Sequence, residues 1–189
     1  MSSALPDAEY AVLRHTIASR GTARMVLFPV VMIAWATLAL LVLTYADAPI
    51  ASLYSLAVLA GGFEAIHALH VGVERIGRYV QVYYENAEAG PRWENTVMAL
   101  GPALPGGGID PLFTVVFTCA AFVNVIPALA LQPRATATEF GVIGVLHLAL
   151  VIRIVRARGA AARQRAVELE TFRAIRSQLP KLNTSEHHP

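Results

Sequence analysis

At 189 residues, with 56% hydrophobic and only 15% charged side chains and a mean hydropathy of +0.52, the chain is too apolar for a soluble domain of its size, because a small globule needs a charged skin. A lone cysteine, Cys119, excludes an internal disulfide,. The surplus apolar surface is expected to face lipid, and the length leaves room for one compact membrane domain with a modest tail.

Residues 1–24 lack the basic-then-apolar pattern of a cleaved signal peptide,, so the first membrane helix is expected to act as its own insertion signal. Within this stretch 7–19 reads as a short amphipathic helix opened by Asp7 after Pro6, with Tyr10, Leu13 and Ile17 on one face,. It is expected to lie on the bilayer surface. Residues 25–46 carry no charge and reach the roughly 20 residues that a ~30 Å hydrocarbon core demands,. A second span is read at 50–73, a third at 112–131 with Asn124 and Pro127 deep within it, and a fourth at 136–155. Pro127 is expected to kink the third span.

Between the spans, 74–111 reads as a loop with short helices: the second span runs on through "RIGRYVQVYYENAEA", stops at Gly90-Pro91, and leads into "RWENTVMAL" and the irregular "GPALPGGGIDP",. After the fourth span, 156–180 reads as a basic helix ended by Pro180, with Leu169, Phe172, Ile175 and Leu179 along one side. Residues 181–189 read as a disordered tail,. Of the 15 basic residues, only Arg134 falls in the short turns near 47–49 and 132–139. The positive-inside rule therefore places both termini and the 74–111 loop in the cytoplasm. The endings "VERIGR" and "VIRIVR" of the second and fourth spans share Val, Arg, Ile and Arg at one spacing, a faint sign of duplicated hairpins,.

The second span is unusual in its ionisable residues. At 100° per residue, Glu64, His67, His70, Glu74 and Arg78 fall on one face of a helix, within roughly 120°. Such groups are costly against lipid, so the stripe is expected to face the bundle interior or a watery cavity. At ~1.5 Å per residue, His67 lies about 12 Å and His70 about 8 Å from the level of Arg75, and His147 about 9 Å from Arg153. Met32 and Cys119 come out at similar depth.

Three readings follow. His67 or His70 with His147 could hold haem b between facing helices. Glu64, His67, His70 and His147, with Cys119 and Met32 as soft donors, could hold a transition metal. The stripe could instead carry protons or ions through a small channel. Beside these stands hydrogen bonding between helices, with His67 reaching Thr118, Asn124 or Glu64. A single E-x-x-H falls short of a di-iron bundle, which needs two and further carboxylates.

The residues after the second span form a pattern R-I-G-x-Y-x-x-x-x-x-E followed by W-E, met by Arg75, Ile76, Gly77, Tyr79, Glu85, Trp93 and Glu94. In this pattern and in its layout of spans the chain resembles a loose class of bacterial four-span inner-membrane proteins, a resemblance that implies no activity. Physically, Arg75 and Arg78 suit the phosphate layer, Tyr79 and Trp93 the headgroup level, and Gly77 a close backbone approach. Glu85 or Glu94 could pair with arginines of the tail.

No G-x-S-x-G, P-loop, dinucleotide fingerprint or H-E-x-x-H is present,. The tail interleaves its arginines with Glu168 and Glu170 and has few aromatics, which argues against nucleic-acid binding. The reading is thus an all-α, four-helix transmembrane bundle of a bacterial-type inner membrane. It is expected to be non-enzymatic, a homo-oligomer or a subunit of a larger complex. Arg75, Arg78, Tyr79, Trp93, Leu169, Phe172, Ile175 and Leu179 are its candidate contact residues, and its basic tail would meet anionic lipid headgroups.

Overall fold

The computed structural model describes residues 4–85, 92–100, 112–131 and 134–185. Every regular element among them is helical: α1 (Ala4–Tyr45), a 3-10 turn (Pro49–Ala51), α2 (Ser52–Tyr83), α3 (Trp93–Leu100), α4 (Leu112–Val123), α5 (Ile126–Ala130) and α6 (Ala137–Ser185). Four stretches are long and apolar enough to cross a membrane: Asp7–Tyr45, Pro49–Tyr83, Phe113–Ala130 and Ala137–Gln178. The expected breaks at Gly90-Pro91 and through 101–111 lie outside the described residues.

Helix continuity departs from the sequence reading in two places. The amphipathic segment 7–19 is not a separate surface helix but the first turns of α1, which passes through Gly21 and Pro29. A single glycine costs a helix only about 1 kcal/mol relative to alanine, and the flanking Ala and Arg residues are good helix formers. Likewise α6 does not stop at Pro180 but continues to Ser185; a proline forfeits one hydrogen bond and crowds one carbonyl, which a helix can absorb as a kink. The third span does break. α4 ends at Val123 and α5 begins at Ile126, with Pro127 in the first turn of α5. Proline has no N–H for the Val123 carbonyl, so the helix yields just before it.

The chain divides into two compact units. An apolar unit comprises Thr22–Leu69 and Pro111–Gly159, and a charged unit comprises Met1–Gly21, His70–Asp110 and Ala160–Pro189. In the apolar unit α1, α2, α4 and α6 share one core, built on Val31, Leu59, Phe63, Ile66, Phe117, Leu150 and Ile154. Phe28 meets Phe113 edge-on at 4.8 Å and Phe117 at 6.1 Å, and Phe117 meets Phe63 at 5.5 Å. These off-parallel contacts suit the ring quadrupoles. The outer surface of this unit is also apolar, exposing Val30, Ile33, Leu40, Val115, Phe122, Val145 and Leu148.

Gly62 sets the approach of α1 to α2. A Cβ at that position would lie 2.2 Å from a Val31 methyl, so no larger residue fits without moving a helix. Neighbouring Gly61 faces open space, with nothing within 4 Å. Gly62→Ala is therefore expected to lower stability by about 1–3 kcal/mol through overpacking. Gly61→Ala should be neutral or slightly stabilising, since it gains helix propensity. Thermal unfolding of both variants in one detergent compares them directly, and equal melting temperatures would refute the packing argument.

Candidate functional site

Ionisable side chains of α2 and α6 converge in the charged unit. Arg78, only 4% exposed, donates to Glu168 Oε2 from Nε at 2.8 Å and from Nη2 at 2.5 Å, and to Glu74 Oε2 from Nη1 at 3.2 Å. Glu168 Oε1 accepts from Arg75 Nε at 3.0 Å and Gln164 Nε2 at 2.6 Å. Glu74 Oε1 accepts from Arg165 Nη2 at 2.9 Å, and His70 Nε2 lies 3.6 Å from it. The spacing of four residues in His70/Glu74, Glu74/Arg78 and Gln164/Glu168 brings each pair to one helix face. Folding then adds the contacts across some ninety residues of sequence.

Near the end of α2, the carboxylate of Glu85 is buried and caps α3. Its two oxygens accept from the backbone N–H groups of Glu94 and Asn95, each at 2.8 Å, and Asn95 Nδ2 adds a contact at 3.1 Å. An anion here meets unpaired N–H donors and the positive end of the helix dipole. Glu94 Oε1 in turn accepts from Arg14 Nη1 at 2.8 Å. Its Oε2 lies where a side chain on Gly77 would start, 2.9 Å from an added Cβ. Tyr79 donates to Glu9 Oε1 at 3.0 Å, stacks on Tyr83 at 4.5 Å and meets Phe172 edge-on at 5.8 Å. Arg176 donates to the Val82 carbonyl.

The expected pairing of Glu85 or Glu94 with arginines of the tail is replaced by other contacts between the α2 extension and the tail. Glu85 and Glu94 are occupied by α3 and Arg14, while the tail supplies the acceptor Glu168 and the donor Arg165.

Burial foremost raises the Glu94 carboxyl above its ordinary value; the Arg14 charge opposes this and the Glu85 charge adds to it. Burial, then Glu9, also pushes the Tyr84 phenol well above its usual range. For Glu94 the folded form holds its proton to higher pH than the unfolded chain. Its contribution to stability is fully present below the unfolded value of 4.5 and is lost as pH rises through the raised folded value. Unfolding of Glu94→Gln and parent between pH 4 and 7 should show the parent losing stability relative to the variant as pH rises. A constant difference would contradict the assignment.

In the apolar unit the polar centre is Asn124, fully buried at the break between α4 and α5. Its Oδ1 accepts from Trp35 Nε1 at 2.9 Å and from Ser55 Oγ at 2.7 Å. Its Nδ2 donates to the Ser52 carbonyl at 3.1 Å and meets His147 Nε2 at 3.0 Å. His147 Nδ1 lies 2.7 Å from the Ile143 carbonyl. A carbonyl only accepts, so Nδ1 carries the proton and Nε2 takes the Asn124 N–H. The carboxamide thus joins α1, α2 and α6 with all four of its hydrogen-bonding positions used. No protein-family model, curated protein or solved structure matches the chain.

The other candidates fall in different places. Glu64 Oε2 accepts from Arg153 Nη2 at 2.8 Å, and the Arg153 guanidinium lies over the Phe63 ring at 5.8 Å. His67 stacks on Phe63, one turn back on the same helix face, with centroids 5.8 Å apart,. Met32 packs against the core, and Cys119 is exposed. Among the described residues no three His, Cys, Asp or Glu side chains are gathered as a metal ion would require. Trp93 is 60% exposed and Ile175 44%, Leu169 is half-buried, and the side chain of Leu179 lies outside the described residues.

Residues the sequence reading missed are Glu168, Arg165 and Arg14 in the charged unit and Trp35, Ser52 and Ser55 around Asn124. A buried Asn beside a proline was a visible signal for the last group, since an amide inside a span needs partners. Nothing local distinguished Glu168 from Glu170.

Proposed function

We propose that the chain is a non-enzymatic, multi-pass protein of a bacterial-type inner membrane. Both termini lie in the cytoplasm, and its charged unit serves as a docking platform for another membrane-complex subunit. The observation that carries this reading is the contrast within the charged unit. The ionisable residues that could have done chemistry, Glu74, Arg75, Arg78, Glu85, Glu94 and Glu168, are tied to one another, to Arg14 or to backbone. Beside exposed charged residues, the unit also exposes large apolar side chains: Trp93, Val97 and Leu100 on one face of α3, and Val167 and Ile175 on α6. A fixed polar frame with apolar residues outside is the arrangement of an interaction surface, and an amphipathic helix of a partner subunit matches it chemically. The exposed Arg163 and Arg173 add attraction to anionic headgroups.

The haem and metal readings find no support in the donor geometry. Both ring nitrogens of His147 are held by protein atoms, so ligation would break the Asn124 clamp. An absorbance spectrum and metal analysis of protein from haem- and metal-replete cells should show neither a Soret band nor stoichiometric metal, and either one lost in His147→Ala would overturn the proposal.

The docking platform is tested in cells with photo-crosslinking residues at Val97 and at Ile175. The expected result is one discrete protein adduct, diminished by Trp93→Ala for the first position. Adducts to lipid alone at both positions would sink the docking role.

A further inference from the structure

In the apolar unit, α2 and α6 leave between them a groove of about 360 Å³, walled by Ala57, Ala60, Leu146 and Ala149 among others and containing the Glu64–Arg153 ion pair. The two charged side chains remain 49% and 43% exposed, within stretches long and apolar enough to cross a membrane. Hydrocarbon cannot solvate a half-exposed ion pair: each ion retains a desolvation cost of several kcal/mol unless further polar groups cover it. The groove is therefore incomplete as it stands.

Charge decides what completes it. An anionic lipid headgroup would meet the Glu64 carboxylate beside Arg153 and be repelled. A second copy related by a two-fold axis along the membrane normal would bring its own pair to the same depth, and the axis would reverse its direction. Glu64 of each copy would then face Arg153 of the other, closing a ring of two anions and two cations. An isologous contact allows this because it joins one surface patch to itself. The alanines in the groove walls let two helices approach closely, as membrane interfaces require.

We infer that the α2/α6 groove is a self-association surface, in which the Glu64–Arg153 pair of one chain is covered by the same pair of a second copy. The inference rests on membrane embedding and is independent of the partner proposed for the charged unit.

The test uses the full chain in a Cys119→Ser background, in membranes. Ala57→Cys should form an oxidative dimer at least tenfold faster than Val115→Cys, an exposed position on α4. Either E64R or R153E alone should lower the dimer fraction in liposomes at least tenfold, because each puts like charges across the interface. Differently tagged E64R and R153E copies, reconstituted together, should pair with each other in preference to themselves, since one carries two cations at this position and the other two anions. A mere folding defect could not produce that preference. Equal cross-linking at both positions, or absence of the mixed pair, would overturn the inference. So would a monomer retaining a phospholipid in native mass spectrometry that R153E releases. Extraction of the chain by carbonate would overturn the embedding along with the pairing, whereas an embedded chain without dimer would overturn the pairing alone.

Discussion

Arg78→Ala is expected to loosen the charged unit by about 3–5 kcal/mol, the cost of removing one partner from a buried ionic cluster. Arg78 supplies three of the hydrogen bonds received by Glu74 and Glu168, and those carboxylates are only 19% and 15% exposed. With the guanidinium gone, Arg165 still reaches Glu74 and Arg75 still reaches Glu168, but each carboxylate loses its most deeply buried counter-ion. Arg78→Lys should recover part of the loss, since an ammonium restores the charge but not the two-pronged contact with Oε2 of Glu168. Adding Glu168→Gln to Arg78→Ala should recover more than adding Glu170→Gln, because Glu168 is the anion left stranded. Trypsin cleavage at the exposed Arg163 and Arg173 of α6 reports local opening. At 3 kcal/mol it should speed up by roughly a hundredfold. An unchanged cleavage rate in Arg78→Ala would mean that the cluster does not hold α6 to α2.

Asn124→Ala should destabilise the apolar unit by about 2–4 kcal/mol. Interhelical hydrogen bonds in membrane proteins average about 0.6 kcal/mol each, and four are lost. Stranded buried groups add to this at roughly 1–3 kcal/mol where they find no new partner. Trp35, whose Nε1 donates to Asn124, gives a local reading: its emission should shift to the blue when the acceptor is removed. His147→Ala removes one contact of the four and should cost less. A double-mutant cycle between the two positions should return a coupling of about 0.6–1.7 kcal/mol. Additive effects would show that the Asn124–His147 contact is not formed in the membrane. Asn124 sits where Pro127 interrupts the span, so the amide also stabilises an end that lacks a regular helical continuation.

The sequence reading found the four helices long and apolar enough to cross a membrane because hydropathy averaged over about twenty residues depends on no neighbour outside the window,. It found the break near Pro127 for a similar reason, since the missing N–H is a property of that residue alone. The juxtamembrane pattern was legible only in part: Arg75 and Glu85 do enter polar contacts, but the neighbour of Gly77 is the Glu94 carboxylate and not the backbone that was expected.

Partner identity was not legible. Helical spacing put Glu64, His67, His70, Glu74 and Arg78 on one face, yet their fates differ: Glu64 goes to Arg153, His67 stacks on Phe63, and Glu74 and Arg78 join Glu168 and Arg165. Periodicity assigns a residue to a face and a depth, but which side chain stands opposite depends on how helices rotate and slide against one another. That choice is made by close fits such as Val31 over Gly62 and by the four-way demand of Asn124. For the same reason three histidines of similar depth did not become one site. Packing gave the imidazoles different neighbours: His67 stacks on Phe63, His70 lies near Glu74, and His147 meets the Ile143 carbonyl and the Asn124 carboxamide.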